Sequence, residues 1–407
     1  MSRRAFSKKS MKKRTTLLVL LLLTLLPAAA QRSRSFTIDR HHFVDTVKVE
    51  IIDGAVIVPV EIEGKVRRLM FDTGAENGFW IAGEEEWMKS SGDSVMVIDS
   101  QNKRIRLPIL KIPSIKMGSI TLEDYPVMVH DAMSGVVCGM FDGALGYDLV
   151  AKGLSFKLDT KDSMMIVTDR RGFFAKEEKG QPTLKYREKT LPLVFVGFPF
   201  ANVKMLFDLG WVGGWFDLPE YWLNRWSANN PKMRQTLDEL TVRRDTIVST
   251  QYGLSGRVND TLVERTLHIP EVKMEGLTLN DVWVSTGTFS VKVGSAILKH
   301  NSLIINASKR KLILLPNNGK LEQEVGNEKR GISFIPAEEG DTIGAVKAVV
   351  GKGTTAYSKG LRTGDYLISI NGIPITDVCA YVTISSREKV VSSVFRSPDG
   401  TLKEVEW

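Results

Sequence analysis

Leu69-Met70-Phe71-Asp72-Thr73-Gly74-Ala75 is the stretch of sequence that decides the fold. Its first three residues form an apolar run typical of a buried strand, and this run leads directly into Asp-Thr-Gly. We interpret Gly74 as a tight turn just after the strand. The pattern places the carboxylate of Asp72 at a strand end, in apolar surroundings. Alone the triplet is weak evidence, because Asp followed closely by Gly is common in ordinary turns.

A second stretch, Lys204-Met205-Leu206-Phe207-Asp208-Leu209-Gly210, repeats this pattern. It again contains an apolar run, Phe, Asp, one further residue and Gly. It aligns with the residues around Asp72 without a gap. Two matched carboxylates, each at the end of a buried strand, are what a shared catalytic dyad requires.

Together the two motifs resemble those of aspartic proteases, in particular two-lobed enzymes in which each lobe looks like a retropepsin subunit. The resemblance implies a mostly β fold with two retropepsin-like acid-protease β-barrel lobes in one chain. It implies that Asp72 and Asp208 are catalytic and share one proton, because two close carboxylates do not both ionise. They would activate a water that attacks a peptide or protein substrate, without a metal or cofactor. Which Asp holds the proton stays open.

An internal repeat supports the duplication. Ile112–Met117 matches Ile269–Met274, and over the sixteen positions that start at these two isoleucines eight residues are identical. The second copy carries roughly twenty more residues between its Asp and its repeat, which we place around Tyr221–Leu240. A duplicated β unit predicts two similar bodies with a groove between them.

The resemblance also implies a set of residues that support the active-site loops: Thr73, Gly74, Leu209, Gly210 and Gly146. Leu209 stands where the family has Thr or Ser, so only Thr73 offers a hydroxyl to lock the two loops together. The segment Gly294–Leu298 lacks the expected Gly after two apolar residues. These departures favour the alternative of a weak or inactive pseudoprotease that binds exported peptides without cutting them.

The C-terminal region resembles a PDZ domain. Gly331-Ile332-Ser333-Phe334 is similar to the carboxylate-binding loop of that family, and Ala356–Gly372 is a close match to its later part. The pattern predicts a short helix that ends at Gly360. The resemblance implies that the loop binds protein C-termini by adding a peptide to a sheet edge. Docking of this domain on the protease body is an equally open interpretation. A charged run from Lys320 to Arg330 is typical of a linker.

The N-terminus has the pattern of an export signal. Residues 1–30 contain seven Lys or Arg, a short Leu-rich run and small residues at its end. We therefore expect a secreted or periplasmic protein without a stable membrane span; an uncleaved anchor is the alternative. The chain's net charge of +8 lies almost entirely in this segment, so the remainder is nearly neutral and gives no argument for nucleic-acid binding.

Cys138 and Cys379 lie far apart in the sequence, and we interpret both as small buried side chains rather than a disulfide. The five His show no spacing typical of a metal site. We expect a monomer, divided as follows: signal peptide 1–30, first protease lobe 31–175, second lobe 176–318 and PDZ domain 328–407.

Two other arrangements compete with this interpretation. In one, the first lobes of two chains pair and leave Asp208 idle, but the duplicated lobe already provides a tethered partner for Asp72. The other hypothesis is a serine protease with a PDZ domain, but the sequence contains no Gly-x-Ser-x-Gly motif to support it.

Overall fold

The computed structural model describes residues 35–80, 85–99, 103–130, 138–187, 191–249, 252–254, 256–257, 261–287, 289–326, 330–338 and 340–407. In this part of the chain the fold is mostly β, with short helices, as the sequence predicts. The predicted signal segment lies outside the described residues. None of the described helices combines the length and the apolar character needed to cross a membrane.

The elements before residue 187 belong to the first half of the body. They are β1 (Thr37–Ile38), β2 (Val44–Lys48), β3 (Glu50–Ile52), β4 (Ala55–Ile62), β5 (Lys65–Phe71), β6 (Gly78–Phe79), a 3-10 helix (Glu85–Trp87), β7 (Lys89–Ile98), β8 (Arg104–Met117), β9 (Ile120–Val129), β10 (Gly143–Leu145), α1 (Asp148–Ala151), β11 (Ser155–Asp159), β12 (Met164–Thr168), α2 (Ala175–Glu178) and β13 (Thr183–Lys185).

The second half follows with a similar series. Its elements are β14 (Leu193–Phe198), β15 (Ala201–Phe207), β16 (Phe216–Asp217), α3 (Glu220–Ser227), α4 (Pro231–Leu240), β17 (Thr241–Val248), β18 (Tyr252–Gly253), β19 (Gly256–Arg257), β20 (Thr261–Met274), β21 (Leu277–Ser285), β22 (Lys292–Val293), a 3-10 helix (Ser295–Lys299), β23 (Asn301–Asn306), β24 (Lys311–Pro316) and β25 (Glu322–Glu324).

Six strands of the first sheet close into a barrel in the order β9-β6-β10-β5-β4-β8, because β8 also pairs with β9. β5 pairs antiparallel with β4 and parallel with the short β10, so it lies in the interior of the sheet. Burial increases along β5 and is complete at Phe71, whose ring packs 4.9 Å from that of Phe156. The barrel therefore fixes the end of β5, where Asp72 follows.

The second sheet repeats this arrangement around β15, which pairs antiparallel with β14 and parallel with β22. The repeat found in the sequence is the same hairpin in both halves: Met117 pairs with Ile120 in β8–β9, and Met274 pairs with Leu277 in β20–β21. Helices α3 and α4 occupy the place predicted for the extra residues of the second copy.

One six-stranded sheet joins the two halves, in the order β13-β24-β23-β11-β12-β2. Its central pairing is between β11 of the first half and β23 of the second, where Phe156 lies opposite Ile305. Every residue of β23 is buried, and one continuous apolar core extends through both halves. This shared sheet, which the sequence pattern did not reveal, holds the two Asp-bearing strands in a fixed relation.

The C-terminal unit has its own sheet and core. Its elements are β26 (Ile332–Pro336), β27 (Val346–Val350), α5 (Thr355–Ser358), β28 (Tyr366–Ile370), β29 (Ile373–Pro374), α6 (Val378–Arg387), β30 (Ser392–Arg396) and β31 (Leu402–Glu406). The sheet order is β26-β27-β28-β30-β31, so β26 is an edge strand. The short helix α5 precedes Gly360, as predicted, and residues such as Leu361 and Phe395 form a separate core.

The predicted linker is partly structured. Residues Glu322–Glu324 form β25, which pairs in parallel with β21 and extends the second sheet beyond the predicted boundary at residue 318. The side chain of Gln323 is buried and exchanges two hydrogen bonds with Asn301, at 2.8 and 3.1 Å. The prediction of a plain linker is therefore wrong here, because this polar pairing gives no apolar signal in the sequence.

Cys138 and Cys379 form a disulfide, with their Cα atoms 5.1 Å apart. The prediction of two unpaired cysteines is wrong, because the fold brings together residues that are 241 positions apart in the sequence. The bond links α6 of the C-terminal unit to the segment just before β10. On the other side of the unit, the Lys352 backbone N–H donates to Asp245 Oδ2 at 2.9 Å. The C-terminal unit is thus attached to both halves of the body.

Candidate active site

The first carboxylate is placed by two main-chain hydrogen bonds. Asp72 follows β5 directly, and its backbone N–H donates to the Leu145 carbonyl in β10 at 2.9 Å. The Gly74 N–H donates to Asp72 Oδ1 at 2.7 Å. The side chain is largely buried. The backbone of the strand end and the side chain are therefore both held by main-chain hydrogen bonds.

The second carboxylate has the same surroundings with one further donor. Asp208 follows β15, and its backbone N–H donates to the Val293 carbonyl in β22 at 2.8 Å. Asp208 Oδ1 accepts the N–H of Gly210 at 2.9 Å and that of Trp211 at 3.2 Å. Like Asp72, Asp208 is largely buried.

The two loops face each other at very short range. A Cβ atom added to Gly74 would lie 2.4 Å from Asp208 Oδ1, and one added to Gly210 would lie 2.2 Å from Asp72 Oδ2. Neither φ is positive. The sequence predicts a turn at Gly74, but the structure explains the need for glycine at both positions by the close approach of the two loops. Each lies against the carboxylate of the opposite loop, where no side chain fits.

Thr73 locks the loops from one side. Its Oγ1 donates to the Phe207 carbonyl at 2.6 Å and accepts the Leu209 N–H at 3.1 Å. Leu209 is fully buried and belongs to the continuous core. The one-sided lock predicted from the sequence is present, and in the mirrored position an apolar contact replaces the second hydroxyl.

A backing segment supports each loop. Gly146 follows β10, and a Cβ there would lie 2.6 Å from the Ala75 carbonyl oxygen. Gly294 follows β22 in the same way, and a Cβ there would lie 2.3 Å from the Gly214 carbonyl oxygen. The prediction of a degraded second segment is wrong, because Lys292-Val293-Gly294 takes the place of Ala144-Leu145-Gly146. Lys292 interrupts the pair of apolar residues that precedes the Gly in the first segment, so the sequence motif does not match here.

Lys292 is the residue that sequence reasoning missed. Its Nζ lies 3.3 Å from Asp208 Oδ2 and 5.3 Å from the centroid of the Trp211 ring. The side chain is only 9% exposed. A single Lys inside the apolar run around Val291 and Val293 was the available signal, since a charge in a buried strand needs a partner.

The site changes the acidity of Asp72. The pKa of Asp72 is raised to about 8, chiefly by burial and next by the nearby Asp208 carboxylate. The Gly74 N–H and the charge of Lys292 act in the opposite direction. The balance of these effects favours the protonated form of this carboxyl group relative to an ordinary Asp.

The aromatic residues after Asp208 differ in how deeply they are buried. Trp215 and Phe216 are buried and belong to the core, whereas Tyr221 and Trp226 are exposed. Trp211 is half-buried and lies beside Lys292. Of this aromatic cluster, Trp211 is the member that the structure places in direct contact with a residue of the dyad, through its N–H to Asp208.

The predicted peptide-binding residues lie at a separate place. Gly331, Ile332 and Ser333 line a cavity of about 310 Å³ that they share with Arg243 and Glu264 of the second half. Phe334 continues the edge strand β26, and its ring lies 5.0 Å from that of Tyr381 on α6. The loop therefore faces the second half of the body.

Among the residues that the structure describes, no group of His, Cys, Asp and Glu has the arrangement of a metal site. The carboxylates of the candidate site are instead satisfied by backbone N–H groups and by the Lys292 ammonium.

Comparison with known proteins agrees with this geometry for part of the chain. Residues 58–149 match the family model described as aspartyl protease. The matched region contains Asp72 and its backing segment through Gly146, and it ends before Asp208. No curated protein matches the chain. The closed barrel is consistent with an aspartyl-protease fold, and the match suggests protease activity.

Proposed function

We propose that this protein is an aspartic-type endopeptidase that uses Asp72 and Asp208 as its catalytic dyad. The observation that carries the proposal is the face-to-face approach of the two Asp-x-Gly loops, so close that neither Gly74 nor Gly210 has room for a side chain. The family match over residues 58–149 supports the hydrolase class. The role of Asp208 rests on the matched geometry of the second loop.

The chemistry follows from one shared proton. Two carboxyl groups this close do not both ionise, so the dyad carries a single proton, and the raised pKa of Asp72 supports this. The ionised carboxylate removes a proton from a water held between the two side chains, and the protonated one donates to the scissile carbonyl oxygen. Water attacks the acyl carbon directly, so no covalent intermediate forms with the chain.

A substrate-covering hairpin is part of the proposal. β7 and β8 form a long hairpin after the Asp72 loop, with Ile98 paired to Arg104 at the described end of the hairpin. Met96 and Ile98 near this end are 48% and 61% exposed. Exposed apolar side chains at such a position fit a flap that packs on an extended peptide.

For the C-terminal unit we propose a PDZ-type peptide-binding role. β26 pairs with β27 on one side, and within the described strands its other edge is open. The ring of Phe334 on β26 contacts that of Tyr381 on α6, with centroids 5.0 Å apart. A protein C-terminus added to this edge would be recruited close to the protease body, to which the unit is attached by the Cys138–Cys379 bond.

Export and quaternary state complete the proposal. The basic, Leu-rich segment 1–30 supports secretion or a periplasmic location. A dimer of first halves is not needed for a dyad, since Asp208 of the same chain already lies against the Asp72 loop. We therefore propose a monomeric enzyme.

The second candidate function is a pseudoprotease that binds exported peptides. Leu209 favours it, because the second loop lacks the hydroxyl that would make the lock symmetric. Wild type, Asp72→Asn and Asp208→Asn should be compared on a denatured protein, with cleavage products identified by mass spectrometry. The protease proposal requires cleavage by wild type and at least a hundredfold loss in each folded variant. Peptide binding by all three without cleavage would establish the pseudoprotease.

A further inference from the structure

Lys292 breaks the symmetry of the two halves at their most sensitive position. It occupies the place in β22 that Ala144 occupies in β10, one residue before the backing Val293 or Leu145. Ala144 lies in a small apolar cluster with Met70. On the other side the same place holds an ammonium, 3.3 Å from Asp208 Oδ2 and 9% exposed.

Asp208 also accepts more hydrogen bonds than Asp72 does. Asp208 Oδ1 accepts two backbone N–H groups, from Gly210 and Trp211, and Asp208 Oδ2 faces Lys292. Asp72 Oδ1 accepts one, from Gly74. Hydrogen bonds and an opposite charge stabilise the ionised form of a carboxyl group. In a water-poor site these differences have a larger effect than they would in solvent.

We propose that Lys292 is a positioning residue that keeps the negative charge of the dyad on Asp208 and leaves the shared proton on Asp72. This inference rests on the proposed protease function. It assigns the base and the acid, which the sequence left open. The raised pKa of Asp72 is in accord with that assignment.

The assignment gives a balanced reaction. The water oxygen bonds to the acyl carbon while one water proton passes to Asp208 and the Asp72 proton passes to the carbonyl oxygen. In the neutral diol that results, the C–N bond breaks and its electron pair goes to nitrogen, which takes the proton from Asp208. One hydroxyl proton returns to Asp72 as the product carboxyl forms. The dyad is then restored, and Lys292 neither gives nor takes a proton.

The charged groups that face Lys292 come from three elements. Asp208 lies on the loop that follows β15, and Asp72 lies on the opposite loop. Asp217 of β16 is opposite Lys292 in strand register and is also buried. Ser290 Oγ donates to Asp217 Oδ2 at 3.5 Å. Any change at Lys292 therefore acts on a cluster of three acids and one base.

The cation lowers the free energy of each ionised state of the dyad relative to the state with one more proton. Both limits of the pH range in which the dyad holds one proton consequently lie lower than they would without Lys292. Removing the charge should raise both limits. At 3.3 Å in a buried site the interaction is strong enough for a shift of about one pH unit or more.

The test is the pH profile of kcat/KM for Lys292→Met and Lys292→Arg. We expect both limbs of the profile to move up by about one unit or more in Lys292→Met, with a smaller shift in Lys292→Arg. Lys299→Met is the matched control: its ammonium pairs with Asp53 at 2.8 Å, and its side chain is 45% exposed. Its profile should equal that of wild type. Unmoved limbs in folded Lys292→Met would overturn the proposal and leave the protease function intact.

A measurement on the wild-type protein covers the case in which Lys292→Met fails to fold. Carboxyl ¹³C resonances of labelled aspartate, assigned with Asp72→Asn and Asp208→Asn, report each charge directly and need no activity. Asp208 should remain ionised at pH values where Asp72 is still protonated. The reverse order would refute the role of Lys292. Absence of cleavage by wild type at every pH would instead refute the proposed function, and this titration would still decide the charge assignment.

Discussion

The backbone N–H of Leu209 donates to Thr73 Oγ1 at 3.1 Å, and no hydroxyl returns the contact from the Leu209 side. Thr73 Oγ1 also donates to the Phe207 carbonyl at 2.6 Å. One hydroxyl thus satisfies a buried donor and a buried acceptor of the opposite loop. The contact between the two loops depends on this side chain for both of these hydrogen bonds.

Replacing Thr73 by Val should show that dependence. Valine has nearly the same shape, but it leaves the Phe207 carbonyl and the Leu209 N–H buried without a partner. Each such group costs about 1–3 kcal/mol, so the free energy of unfolding should fall by roughly 2–6 kcal/mol. Denaturant unfolding gives this value. Thr73→Ser keeps the hydroxyl and should retain most of the stability; an equal loss in both variants would show that the methyl group matters instead.

Leu209→Thr tests the mirrored position. A hydroxyl at this position would add one hydrogen bond, worth ~1 kcal/mol. Leu209 is fully buried in the core, so its replacement also removes packing. Loss of apolar volume and burial of a hydroxyl should destabilise the fold by about 1–3 kcal/mol. Leu209→Val is the control for volume alone. A rise in stability for Leu209→Thr would mean that the mirrored hydrogen bond outweighs the lost packing.

These two positions show how far the sequence carries. The apolar run ending in Asp72, its copy at Asp208 and the repeated hairpin are local patterns, and each was predicted. Lys292 and the Cys138–Cys379 bond were missed, because their meaning depends on partners that only the tertiary fold supplies. β25 was missed for a related reason: its buried Gln323 is held by hydrogen bonds to Asn301, which no hydrophobic pattern reports.

The raised pKa of Asp72 predicts how stability depends on pH. Its folded-state pKa of about 8 lies above the ordinary value of 3.8. Between these values the folded chain keeps a proton that the unfolded chain releases, so this group's stabilising contribution is complete below about pH 4 and is lost as pH rises toward 8. The slope is at most about 1.4 kcal/mol per pH unit. Denaturant unfolding from pH 4 to 9 measures it.

Asp72→Asn is the control for this pH effect. It removes the titrating group while keeping the size of the side chain, so the fall in stability between pH 4 and 8 should be shallower than in wild type. Parallel curves for the two proteins would contradict a raised pKa at Asp72. Asp208 is present in wild type and in Asp72→Asn, so both stability curves include any effect of that residue.

The disulfide should hold the C-terminal unit on the body. Replacing Cys138 and Cys379 by Ser together is expected to lower stability by about 2–4 kcal/mol and to make the segment after Gly326 easier to cut by an added protease. Limited proteolysis and thermal unfolding measure the two effects. Peptide mapping without reductant should recover the linked pair from wild type. Two free thiols in the native protein, isolated without reductant, would contradict the bond.

The role of the C-terminal unit can be separated from its attachment by deleting residues 328–407. The deletion keeps β25, and it should carry Cys138→Ser so that no free thiol remains; the matched control is full-length Cys138→Ser/Cys379→Ser. If the unit recruits substrates, the deletion weakens cleavage of long substrates with free C-termini and spares short peptides that reach only the dyad. This is the expected result, because tethering raises the effective concentration of a captured substrate.

Self-docking predicts the opposite sign. The loop Gly331–Ser333 faces Arg243 and Glu264 of the second half, so a unit that acts as a plug would depress every reaction. Its removal would then raise kcat/KM on short and long substrates alike. An equal loss on both substrates would contradict recruitment and plugging together, and would show that the unit stabilises the second half through contacts such as that between Lys352 and Asp245.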